Sequence, residues 1–234
     1  MSQRPNLFLP IHKGIRSMLY SAATRLQSMD FEDLERSNAF VKEMKHDLGD
    51  SLSNCLLCLL SVHSSHEEKD IFSQLHAHDP GAVKMVMKEH GELARRVQEL
   101  SDTCDQILAT SDRSEHLRLG ERLGLESTEL FSYYMVHLAH EDDWVVPVMW
   151  QWFSDEQLNA MRAGFYNNLP ISLFETWMRW TLPALTPSEL RNFVAAARHD
   201  PPPNRFDDLL RIAESSLEPA AWRRLQTSLT SASN

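Results

Sequence analysis

Glycine is scarce in this chain, at 7 residues of 234, and proline adds only 11. So few turn-forming residues argue against an all-β design with many tight hairpins and favour helix. Cysteine occurs three times, at Cys55, Cys58 and Cys104, which is neither an even set nor the framework of a small secreted domain. Cys55 and Cys58 form a C-x-x-C inside the apolar run NCLLCLL, with no second pair to complete a zinc site, and are expected to pack as buried core thiols. No run of about 18 apolar residues occurs, so no membrane-spanning helix is expected. The N-terminal stretch MSQRPNLFLPIHKGIRSML carries Pro10, His12 and Lys13 where a secretory signal needs unbroken apolar sequence, and a cytoplasmic location is expected. Bases are also in deficit, 23 against 33 acids, for a net charge of -10. Nucleic-acid affinity rests on clustered Lys and Arg, so no nucleic-acid partner is expected.

What is present is an ordinary globular composition, 42% hydrophobic and 24% charged, in a chain long enough for one sizeable core with a smaller appendage. Four long segments with helical spacing of apolar residues precede a more varied C-terminal third. The first covers about 11–29, and Asp30 is the expected cap of the second, about 31–76, with a bend near Gly49. Asp79-Pro80 supplies an N-cap and a first-position proline for a third helix to about Thr110. The fourth starts near Asp112 or Ser114 and runs to about Val146, where Pro147 should kink or end it. Short connections favour antiparallel neighbours, which predicts an all-α, up-down four-helix bundle. Capping boxes at Ser154/Gln157 and Thr186/Glu189, and a Pro201–Pro203 linker, predict three to five shorter helices over 154–230, with a frayed tail TSASN. The expected division is a bundle over 1–153 and a helical extension over 154–234.

One pattern is written twice. VHSSHEEKDIF begins at Val62 and VHLAHEDDWVV at Val136. Positions i and i+4 share a helix face, so His63 with Glu67, and His137 with Glu141, can each offer a nitrogen and a carboxylate to a common point. His66 and His140 lie close to the same face. His12 on the first helix and His90 on the third complete a set of four imidazoles and two carboxylates. Such a set suits two iron ions, each receiving two imidazoles and sharing both carboxylates, with positions left over for water, oxo or oxygen. A zinc-protease HExxH fails, since Asp70 and Trp144 stand where its second histidine belongs, and the paired ExxH of di-iron ferritins fails too, since only Glu43/His46 matches it. With eleven histidines some pairs arise by chance. His46, His76, His78, His116 and His199 are accordingly read as ordinary.

These residues resemble the hemerythrin-like (HHE cation-binding) family over about residues 8–153. The matching stretches are His12 in IHKGIR, His63 and Glu67 in HSSHEEKDIF, His90 in EHGEL, and His137 and Glu141 in HLAHEDDWVVP. Pro147 stands ten residues after His137, as in the family pattern, while Ser73 takes that place in the first copy. The resemblance implies a hemerythrin-like bundle with a non-haem di-iron centre, its two irons carboxylate-bridged and oxo- or hydroxo-bridged. Oxygen-carrying members have a further histidine one turn after the third-helix ligand. Here that residue is Ala94, which points away from pure oxygen carriage and toward open metal positions, with His66 or His140 as substitutes.

The function expected is therefore binding, activation or sensing of oxygen, peroxide, nitric oxide or iron at the metal, whether or not catalysis follows. The alternative is a metal-stapled interaction module that engages a protein partner, or a second copy, through its C-terminal helices. Glu68, Asp142 and Arg16 are candidates to orient the ligands, and Tyr133, Tyr134 and Trp144 to stand near the metal.

Overall fold

The computed structural model describes residues 4–45, 55–201 and 203–231. It is all-α, with no strand among the described residues. His46 and the bend expected near Gly49 lie outside them, as do Pro202 and residues 232–234. The helices are α1 (Leu9–Gln27), α2 (Leu34–Lys45), α3 (Leu56–His66), α4 (Ser73–Leu75), α5 (Pro80–Ala109), α6 (Arg113–His140), α7 (Val146–Trp152), α8 (Asp155–Asn168), α9 (Ile171–Ala184), α10 (Pro187–Ala197), α11 (Phe206–Ser216) and α12 (Pro219–Ser231). Two wide π turns, Glu67–Phe72 and Glu141–Val145, join α3 to α4 and α6 to α7. No described helix is long and apolar enough to cross a membrane.

The chain forms two compact units, one of residues 18–145 and one of residues 1–17 with 146–234. In the first, helix starts follow side-chain caps. Asp79 Oδ1 accepts the Ala82 N–H at 2.9 Å with Pro80 at the first helical position, and Asp112 Oδ1 accepts Ser114 N–H at 2.8 Å. The cap expected at Asp30 is instead Asp33, whose Oδ1 accepts Arg36 N–H at 3.0 Å; Asp30 accepts Glu32 N–H in the preceding turn. A connection of only Thr110–Asp112 folds α6 back antiparallel to α5. The pairs Glu89–His137, Arg96–Glu129 and Thr103–Glu126 descend along one helix as they climb the other. Helix α3 runs parallel to α6, where the buried Tyr134 hydroxyl donates to the Leu60 carbonyl at 3.1 Å. That contact spans 74 residues, the same offset that separates the two copies of the repeated cluster.

In the second unit, α9 packs on α11, and α10 on α11 and α12. Its core gathers Trp177, Phe174, Tyr166 and Phe193, with Tyr166 edge-on to both phenylalanines. Each such buried ring contributes roughly 1.5–3 kcal/mol. Both capping boxes expected from the sequence form, at Ser154/Gln157 and Thr186/Glu189. Lys13 also donates to the Glu189 carboxylate at 2.6 Å. Gly14 is required where it stands, because a Cβ there would come within 2.6 Å of Thr181 Oγ1. The five described helices after residue 154 match the number expected, but α12 continues through Thr230 and Ser231, the start of the tail expected to fray.

Candidate metal centre

Both acidic residues of the repeated cluster sit at the first position of a π turn. In an uninterrupted α-helix the next inward positions after Glu67 would be Asp70 and Ile71; the wider turn makes them Ile71 and Phe72, both buried. After Glu141 the same insertion buries Val145 and Val146 and turns Trp144 outward, 37% exposed. Trp144, a candidate to stand near the metal, is at the surface instead. Pro147 does not end the helix either. It is the second residue of α7, just past the π turn where the hydrogen-bond ladder is already shifted, and α7 runs on to Trp152.

Three histidines and two glutamates of the 18–145 unit converge. Ligand atoms of Glu67, His90, His137 and Glu141 all lie within 4.8 Å of one another, and so do those of His63, Glu67 and Glu141. All five residues are buried. His63 Nε2 is 3.3 Å from Glu67 Oε1, and His137 Nε2 is 3.4 Å from Glu141 Oε2. His90 Nε2 lies between the acids, 3.5 Å from Glu67 and 3.6 Å from Glu141. These spacings are long for N–H···O bonds. They match the separation of about 3.0–3.6 Å between two donors that each stand about 2.1 Å from one cation. Each glutamate belongs to both groups, so the two carboxylates are common to either arrangement that could hold a metal ion. The donor set of imidazole and carboxylate suits iron, zinc or manganese.

The outward nitrogens are held by a second layer of acids. His90 Nδ1 is 2.9 Å from Glu68 Oε1, and His137 Nδ1 is 2.8 Å from Glu89 Oε2. A carboxylate at Nδ1 holds a proton there and aims Nε2 at the cluster, where it can meet either a proton or a metal. Glu68 was expected in this role. Glu89 was not, because it lies on a different helix from His137 and nothing in the local sequence joins them. It also takes His140 Nδ1 at 2.8 Å. Burial pushes the Glu89 carboxyl upward, but the His137 and His140 hydrogen bonds outweigh it and the pKa is lowered. Burial by itself would lower the His90 pKa, yet the Glu141 and Glu67 carboxylates more than reverse this and hold it at about 10. The cluster thus calls for positive charge, supplied by a proton or by a metal.

His12 is buried on α1, in the segment 1–17 that folds with the C-terminal helices, its ring 5.4 Å from that of Phe8. Arg16, in the same segment, and Asp142, within the second π turn, are half-buried. His66 and His140 do not join the cluster: His66 is half-buried, with its pKa lowered by burial, and His140 is exposed and engaged by Glu89. Ala94 lies on the exposed face of α5. Tyr134 is fully buried, its ring edge-on to His137 at 5.8 Å, and burial drives its hydroxyl pKa well up. Tyr133 lies under the Arg96 guanidinium. Among the histidines read as ordinary, His116 is buried with Nε2 2.9 Å from Ser37 Oγ, while His76, His78 and His199 are exposed. The free-thiol reading of Cys55 and Cys58 is corrected: one turn of helix brings the two sulfurs together as a disulfide.

Compared with known families, with curated proteins and with solved structures, the chain finds no match. The geometry of its own residues therefore carries the functional argument. Glu89→Ala is expected to weaken metal binding about 10–100-fold in competition with a chromophoric chelator, with helicity unchanged. Glu89→Gln, which keeps an acceptor for His137, should lose much less; equal losses would show that orientation of His137 is not what Glu89 provides.

Proposed function

We propose that the protein is a hemerythrin-like non-haem iron protein that binds, activates or senses oxygen or a related small oxidant. The observation that supports this best is the convergence of three imidazole Nε2 atoms on two buried glutamates that belong to both donor groups. In this reading the up-down bundle consists of α1, α3, α5 and α6. His63, His90 and His137 supply nitrogen, Glu67 and Glu141 are the shared carboxylates, and His12, offered by the sequence pattern of the first helix, is the sixth ligand. Bound iron would supply exchangeable positions for a small ligand and a redox couple.

The chain's own residues do the rest. Glu68 and Glu89 hold the rings of His90 and His137 with their Nδ1 protons outward. Tyr134 and Phe72, both buried, pack against the rings of His137 and His90, at 5.8 Å and 5.6 Å between ring centres. The absence of a histidine at Ala94 favours ligand activation or sensing over simple carriage.

The test is metal analysis of protein purified without oxygen. Two irons per chain are expected, with an absorption band that develops on exposure to oxygen and shifts with azide or nitric oxide. His12→Ala, His63→Ala and His137→Ala should each lower the iron content. Full iron in all three, or a bound metal indifferent to every small ligand, would overturn the assignment.

A further inference from the structure

The C-x-x-C pair is placed for chemistry that a metal centre does not need. The disulfide between Cys55 and Cys58 lies at the first turn of α3. Cys55 is the N-cap residue, with extended backbone, and its Sγ accepts the Cys58 N–H at 3.0 Å. The amides and dipole at a helix N-terminus stabilise negative charge, so they favour the thiolate of a reduced Cys55. Cys58 Sγ lies 3.7 Å from the Lys45 carbonyl oxygen, within reach for a thiol to donate. Each sulfur therefore has a polar backbone group within reach besides its disulfide partner. The third cysteine, Cys104, has no such setting: it is buried, and burial pushes its thiol up to about 12, which keeps it protonated and inert.

A disulfide that encloses only two intervening residues makes a poor staple, because the entropy removed from the unfolded chain grows with the length of the loop closed. Reactivity accounts for the pair better than stability does. We propose that Cys55 and Cys58 form a redox-active dithiol–disulfide pair that exchanges two electrons with small thiol–disulfide couples of the glutathione type. Cys55 is fully buried and Cys58 only partly so, which makes Cys58 the sulfur that meets the small molecule.

In the oxidising direction the Cys58 thiol gives its proton to solvent and the resulting thiolate attacks one sulfur of the small disulfide, forming a mixed disulfide; the sulfur released takes up a proton and leaves as the first thiol. The Cys55 thiolate, held at the helix N-terminus, then attacks Cys58 Sγ, breaks the mixed bond and releases the second thiol. Two electrons pass from the cysteine pair to the small disulfide, and the two protons lost by the protein thiols end on the two released thiols. The reverse sequence reduces the pair. Cys58 is five residues before His63 on the same helix, but the proposal stands without any metal.

The full-length protein is equilibrated in buffers of varied reduced-to-oxidised glutathione ratio, quenched with acid, and alkylated in denaturant for mass spectrometry. Three modified cysteines are expected at the reducing end and one, Cys104, at the oxidising end, with reversible interconversion between them. Three modified cysteines at every ratio, or a pair still oxidised in reduced glutathione alone, would refute the proposal. Cys55→Ser treated with oxidised glutathione should trap one glutathione on Cys58, and Cys58→Ser should trap none on Cys55. An adduct on Cys55, or on neither variant, would overturn the order of attack. If either variant fails to fold, the titration of the unaltered protein decides alone.

Discussion

Alanine at position 141 is expected to strip the protein of its metal while leaving the helices folded. Glu141 is fully buried, belongs to both donor groups, and faces His90 at 3.6 Å and His137 at 3.4 Å. Its removal would take one buried carboxylate donor, and its single negative charge, from both groups at once. Loss of an outer hydrogen-bond partner costs about 10–100-fold in metal affinity; loss of a shared ligand should cost on the order of a thousandfold or more. The measurement is iron per chain after gel filtration, followed by chelator competition on whatever remains bound. Asp143→Ala, an exposed position two residues on, is the control and should retain full iron. Iron bound equally well by both variants would mean that Glu141 is not a ligand.

The metal-free protein should lose stability as pH rises from about 6.5 to about 10. His90 carries the effect, being buried between Glu67 and Glu141 with its pKa raised from 6.5 to about 10. Below about 6.5 the imidazole is protonated whether the chain is folded or not, and the full benefit of its charge between the two acids is present. Through the window the unfolded chain gives up its proton first, so folding requires the folded state to hold a proton at growing cost. Above about 10 the benefit is gone, a loss on the order of several kcal/mol. A metal held among these residues would replace that proton. The loaded protein should melt at nearly constant temperature over the same range, and apparent metal affinity should rise with pH. Melting curves of chelator-treated and metal-loaded protein at unit steps from pH 6 to pH 10 measure both. Parallel profiles for the two forms would place the metal elsewhere.

Much of this was legible in the sequence because helices convert spacing into direction. His63 with Glu67 and His137 with Glu141 share a face by periodicity alone, and the structure buries all four. The start of α5 at Asp79-Pro80 and the two capping boxes were equally plain, since a cap is a local contract between residues three apart. The π turns were not legible. A one-residue insertion in the hydrogen-bond ladder leaves no mark on composition, yet it turned Trp144 outward and let the helix pass Pro147. The cap at Asp33 rather than Asp30 was missed because two acids of the same type stand three residues apart and only the path of the chain chooses between them.

The sequence by itself determined the helical class, the pairs of donors and the charge that favours a cation at their meeting point, because each of these depends on residues within a turn or two of one another. Only the tertiary structure decided that His90 stands between the two carboxylates, that Glu89 braces His137 from another helix, and that Cys55 and Cys58 close on each other. The first two contacts join residues remote in the chain, and their geometry follows from how helices pack. The third is local, but it turns on the backbone conformation of a helix cap, which residue types alone do not specify.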